Sequence, residues 1–178
     1  VRLLERLTLE SQFRQAVEQN RLLLHFQPQM ELASHRITGL EALLRWDHPE
    51  LGLVSPERFV PVAEETGLIV PVGRWVLQAA CRQAVAWQQA GLPPVTVAVN
   101  VSARQLQEQD FVRQVDEVLR TTGLAPRHLE LELTESAVMA DPEAMARKLH
   151  QLKALGCQLA LDDFGTGYSS LSYIRRFY

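Results

Sequence analysis

The sequence predicts an α/β fold in which parallel strands alternate with covering helices, and three observations carry that prediction. Runs rich in branched residues, Val95 to Val101, His128 to Leu133 and Cys157 to Leu161, are too brief for helices and alternate with longer segments of helical periodicity. The helical segments carry their own punctuation, with Ser or Asp and then Pro at the start and Gly just past the end. Two earlier runs, Leu22 to Gln27 and Ile37 to Trp46, are joined by only about nine residues, too few for a parallel crossover, and are expected to be antiparallel neighbours.

Taken in order, residues 1–20 form a charged opening stretch expected to be a linker or first helix, and residues 21–178 hold the strands and helices of one domain. The start at Val rather than Met suggests a piece of a longer polypeptide. Ser55-Pro56 opens a helix that ends near Gly67. Phe111, Val112, Val115, Val118 and Leu119 recur at helical spacing in a segment closed by Gly123, and Met145, Leu149, Leu152 and Leu155 do so between Asp141-Pro142 and Gly156. Both helices are one-sided and must cover something apolar. Strand then helix, repeated, builds either an open doubly wound sheet or a closed barrel.

With 178 residues and 47% hydrophobic content, the chain can bury one sizeable core. A net charge of -3 argues against a non-specific nucleic-acid binder, which needs a dense basic surface. Cys81 and Cys157 sit in a buried-type helix and at a strand start, where they read as small core hydrophobes rather than a disulfide framework. No apolar run approaches the ~20 residues of a membrane span, so a soluble, cytoplasmic domain is expected, free or tethered to a membrane through domains outside this chain.

Polar residues at the strand ends carry the chemistry. Asn100 follows Val97-Ala98-Val99, Glu132 follows Leu129-Glu130-Leu131, and Asp162-Asp163 follow Leu159-Ala160-Leu161, while Glu41 is set inside an apolar strand. Singly, each reads as a solvated strand end. Together they point to the carboxyl rim where βα folds build active sites. Oxygen donors without His or Cys suit a hard divalent ion, Mg²⁺ or Mn²⁺. Arg45, four residues beyond Glu41 on the same strand face, fits either a phosphate contact or a salt-bridged strand terminus. The segment Gly165 to Ser170 is a flexible loop that could cradle an anion. Asp163-Phe164-Gly165 is also a protein-kinase tripeptide, but no Gly-rich loop, strand Lys or catalytic-loop pattern precedes it.

These motifs, in order, resemble a known family. Glu41-Ala42-Leu43 looks like the signature of the EAL domain, with Phe26-Gln27-Pro28 before it. After it come Arg45-Trp46, Phe59 to Glu64, Asn100-Val101-Ser102, Glu132 to Ser136 and Asp162 to Gly167. The resemblance implies a modified TIM (βα) barrel with one antiparallel strand, about five of its eight strands being present here. It also implies a bacterial signalling enzyme that hydrolyses cyclic di-GMP to linear pGpG with two Mg²⁺ or Mn²⁺ ions. Glu41, Asn100, Glu132 and Asp162 match ligands of one metal, and Asp162 with Asp163 those of the second. Glu41, Asp162, Asp163 and Glu135 are the candidate catalytic positions, Glu135 matching the residue that anchors the loop containing Phe164, Gly165, Thr166 and Gly167. Gln27 and Arg45 match contacts to the dinucleotide. The family's later Lys, Asp, Glu and Gln positions have no counterpart in this sequence, and Lys148 and Lys153, on a surface-type helix, do not replace them, so the fragment alone is expected to be inactive. The resemblance further implies a homodimer and an upstream GGDEF or sensory domain. The competing reading is a degenerate EAL domain that binds cyclic di-GMP or a partner protein without hydrolysis.

Overall fold

The computed structural model describes residues 2–134, 137 and 141–162, without the side chains of residues 2–5, 142 and 162. A helix, α1 (Arg2–Glu18), precedes three strands, β1 (Leu22–Glu31), β2 (Arg36–His48) and the short β3 (Gly52–Val54). Helices α2 (Pro56–Thr66) and α3 (Ile69–Gln89) lead to β4 (Thr96–Val101), a five-residue helix α4 (Ala103–Gln107) and α5 (Phe111–Thr122). A short 3₁₀ turn (Pro126–His128), β5 (Leu129–Thr134), α6 (Pro142–Leu155) and β6 (Gln158–Asp162) complete the described order.

Hydrogen bonding orders the sheet β1-β2-β4-β5-β6, with β3 attached to β2. The first pair is antiparallel, as its short connection predicts, and β2, β4, β5 and β6 run parallel. The five expected strands are the five along this path; β3, only three residues long, is the addition. It is held by a tight turn in which the Nδ1 of buried His48 accepts from the amides of Glu50 and Leu51, both at 3.1 Å. β1 and β2 outrun their apolar runs, so the connection shrinks to residues 32–35. Pro28, which cannot donate to a ladder, is tolerated because β1 pairs only with β2 among the described residues.

Alternation along the strands sorts residues to two faces. Ala42, Trp46, Val97, Val99, Val101, Leu129, Leu131 and Leu133 are buried on the face covered by helices. The helix boundaries follow the caps. Ser55 precedes α2, whose end at Gly67 takes the left-handed φ of 82° that a residue without Cβ adopts readily, and Asp141 caps α6 by accepting from the Ala144 amide at 3.1 Å. The inward sides of α5 and α6 are those their periodicity marked: Phe111, Val115, Val118 and Leu119, then Met145, Leu149 and Leu152. The opening stretch is a full helix whose second half belongs to the core. Phe13, fully buried, stacks on Phe59 at 4.9 Å and meets Trp46 edge-on at 5.3 Å between ring centroids.

The sheet is curled. Gln29 on β1 lies three strands from Glu132 on β5, roughly 14 Å across a flat sheet with spacings of about 4.8 Å, yet Gln29 Nε2 stands 3.5 Å from Glu132 Oε1. Only a sheet rolled toward a barrel brings these side chains together, and it does so on the face opposite the helices. Gly39, next to Gln29 on β2, makes room for the crossing: a Cβ there would lie 2.7 Å from Gln29 Oε1.

Candidate active site

Ladder register brings the predicted residues to one face. Gln27 pairs with Glu41, Glu41 with Ala98, Asn100 with Glu132, and Thr134 with Asp162. Residues directly paired across a ladder share a face, and so do residues two apart along a strand. Gln27, Glu41, Arg45, Asn100 and Glu132 therefore lie on the concave, helix-free side, and the Asp162 backbone occupies the corresponding row of β6. The contact that joins them is a hydrogen bond of 2.8 Å from Asn100 Nδ2 to Glu41 Oε1, across the parallel β2–β4 ladder. Glu41 is half-buried and Asn100 exposed.

Arg45, half-buried on the same face, donates from Nη1 to the Leu44 carbonyl at 2.8 Å and makes no ion pair among the described residues. Its guanidinium retains further donors beyond that one bond. Deeper on this face burial pushes the Glu130 carboxyl up from its ordinary pKa. An apolar-lined cavity of about 510 Å³ adjoins the rim between β2, α2, α3 and α4, with Asn100, Ser102 and Thr134 in its wall.

Glu135, Asp163, Phe164, Gly165, Thr166 and Gly167 lie outside the described residues, as does the side chain of Asp162. Among the described residues, no three His, Cys, Asp or Glu side chains cluster closely enough to hold a metal ion. What is assembled is a donor set of two carboxylates, Glu41 and Glu132, with one carboxamide, Asn100. All are oxygen donors, the kind a hard divalent cation takes.

Two neighbours escaped the sequence reading. Gln29, two residues beyond Gln27 and so on the same face, reaches Glu132; that spacing was the available signal. Gln105, buried among helices, closes a capping box with Ser102 after the strand bearing Asn100, and Ser102-x-x-Gln105 was its signature. Lys148 is not the plain surface lysine expected. Its ammonium is partly buried and donates to the Leu106 and Glu108 carbonyls, the latter at 2.7 Å, so α6 ties down the end of α4. Desolvation lowers its pKa, with Glu108 and Asp110 pulling the other way.

The sequence profile of the EAL domain matches residues 10–178. This chain belongs to the EAL domain family. The EAL chain is 47% identical over 172 residues to the bifunctional diguanylate cyclase/cyclic di-GMP phosphodiesterase MucR of Pseudomonas aeruginosa, covering 97% of itself and 25% of MucR. It is 43% identical over 176 residues to the cyclic di-GMP phosphodiesterase PdeR of Escherichia coli, covering 99% of itself and 26% of PdeR. It thus spans about a quarter of the length of these curated relatives. In structure it resembles the PaMucR phosphodiesterase in its c-di-GMP complex, with a TM-score of 0.91 and 47% identity over 95% of this chain and 68% of that one. The curled parallel sheet, with one antiparallel strand at its start, is the EAL domain's barrel-type architecture, unclosed among the described residues.

Proposed function

We propose that this EAL domain is part of a cyclic di-GMP phosphodiesterase, opening the cyclic dinucleotide to linear pGpG. The observation that carries the reading is the Asn100–Glu41 hydrogen bond on the concave face that also bears Glu132, Gln27 and Arg45. A strand end has no packing reason to spend a carboxylate and an amide on each other in front of a second carboxylate. The named activities of MucR and PdeR and the dinucleotide bound to PaMucR support the substrate.

In this reading Glu41, Asn100, Glu132 and Asp162 hold one Mg²⁺ or Mn²⁺, and Asp162 with Asp163 a second. When bound, such ions supply positive charge at the phosphoryl oxygens and acidify water. The rest falls to the chain. Asn100 Nδ2 fixes one oxygen of Glu41, leaving the second oxygen and its own Oδ1 as donors. Gln29 Nε2 steadies Glu132. Arg45 and Gln27 orient the phosphates and the dinucleotide, and Glu135 anchors the loop of Phe164, Gly165, Thr166 and Gly167. MucR's double name supports an upstream GGDEF domain in the parent protein; a homodimer and a cytoplasmic setting complete the proposal. No helix among the described residues is long and apolar enough to cross a membrane.

The test uses the full-length protein containing this chain. Glu41→Gln and Asn100→Ala should lower pGpG formation, followed by chromatography with Mn²⁺ or Mg²⁺, on the order of 10 to 100-fold or more, while circular dichroism stays unchanged. Near-normal turnover in both variants would refute the site. Retained dinucleotide binding by a wild-type protein without turnover would move the assignment to the receptor reading.

A further inference from the structure

Two residues, Val101 and Ser102, separate Asn100 from the five-residue helix α4, and that helix is tied to three others. Alone, five residues cannot hold a helix, because nucleation is unfavourable at such lengths. α4 persists through its attachments. At its start the Gln105 amide donates to Ser102 Oγ at 3.2 Å, while Gln105 Oε1 accepts from the Ser102 amide and hydroxyl, both at 3.1 Å. Arg104 Nη1 donates to the last carbonyls of α2, reaching Glu65 O at 3.1 Å. Lys148 of α6 holds the far end.

Gln105 is the pivot. It is 5% exposed, one of two buried polar residues in the described core, and its amide lies against Gly73 of α3. A Cβ on Gly73 would stand 1.8 Å from Gln105 Nε2, so the side chain occupies a slot that only glycine leaves open. The slot fixes Gln105, Gln105 fixes the extended Ser102 backbone at φ -72° and ψ 155°, and Ser102 ends the strand whose Asn100 reaches Glu41. Outer partners of this kind tune metal sites by orienting the ligands themselves.

We propose that Gln105 is a positioning residue for Asn100, seated on Gly73 and acting through the Ser102 cap to hold the Asn100 amide against Glu41. This rests on the metal-dependent reading of the site. The decisive comparison is between Gln105→Leu, which fills the slot but cannot accept from Ser102, and Gln105→Glu, which restores the acceptor of a capping box. Both are made in the full-length protein. Titration calorimetry with Mn²⁺ alone gives the affinity, pGpG formation against Mn²⁺ gives the half-saturating concentration, and thermal unfolding monitors the fold.

Gln105→Leu should weaken Mn²⁺ binding and raise the half-saturating concentration by roughly tenfold or more, and Gln105→Glu should return both to within about threefold of wild type. Ser102→Ala, which removes the hydroxyl partner, should shift Mn²⁺ affinity in the same direction, and it decides the matter should Gln105→Leu fail to fold. Wild-type Mn²⁺ affinity in a folded Gln105→Leu protein, or a loss that Gln105→Glu does not repair, would overturn the positioning role and leave the functional reading standing. Absence of Mn²⁺ binding and of hydrolysis in the wild type would overturn both.

Discussion

A methyl group at Gly73 would collide with the Gln105 amide, 1.8 Å from its Nε2, and that amide is already engaged through Oε1 by the Ser102 amide and hydroxyl. Gly73→Ala is therefore expected to lower stability by about 1 to 3 kcal/mol, the usual cost of overpacking, read as a drop in urea midpoint with unchanged slope. An unaltered midpoint would mean that Gln105 is not confined. The two cysteines make a second case. Burial pushes the Cys81 thiol up to about 12, with Cys157 adding to the shift, and burial pushes Cys157 up to about 11. A raised thiol pKa means no thiolate in the range where a free cysteine ionises, near ~8.5. Both should resist a thiol-disulfide reagent at mildly alkaline pH and react fully in denaturant; fast labelling of the native chain would contradict the assignment. Their type and setting were legible in the sequence, whereas the Gly73 slot was not, because the two residues that form it are remote in sequence.

Among the elements, the two Pro-started helices look alike in sequence but differ in what their caps do. Asp141 accepts from the Ala144 amide, and Ser55 makes no side-chain cap bond. Asp141→Ala should accordingly cost about 1 kcal/mol and Ser55→Ala only a few tenths at about the level of thermal-denaturation error. Equal losses would show that the caps are not distinguished by these bonds. Lys148→Met retains the aliphatic stem and removes both bonds to the end of α4, for an expected loss of about 1 to 3 kcal/mol, measured by chemical denaturation. The helices and strands were legible because periodicity and caps are local signals. α4 and β3 were not, since the first is held by α2, α3 and α6 and the second by pairing with β2.

For the whole molecule, the described sheet has β1 at one end of its path and β6 at the other, with no further strand pairing to either among the described residues. A strand with an unpaired edge is a template for association. Residues 1–178 expressed alone should elute from a sizing column above the position of a 20.1 kDa monomer, or bind a hydrophobic dye; a compact, dye-silent monomer would show that the edges are protected.

The sequence by itself determined the alternation of strands and helices and the antiparallel first pair, since each is written in spacing or loop length within a few positions. Its order of motifs also fixed the family. Tertiary structure alone decided that Gln29 of β1 reaches Glu132 of β5, that Arg45 keeps its guanidinium clear of ion pairs among the described residues, and that Gln105 fills the gap left by Gly73. The physical reason is the curl of the sheet and the packing of helices behind it. Curvature and close approach are sums over many strands and side chains, and no local pattern in the chain records them.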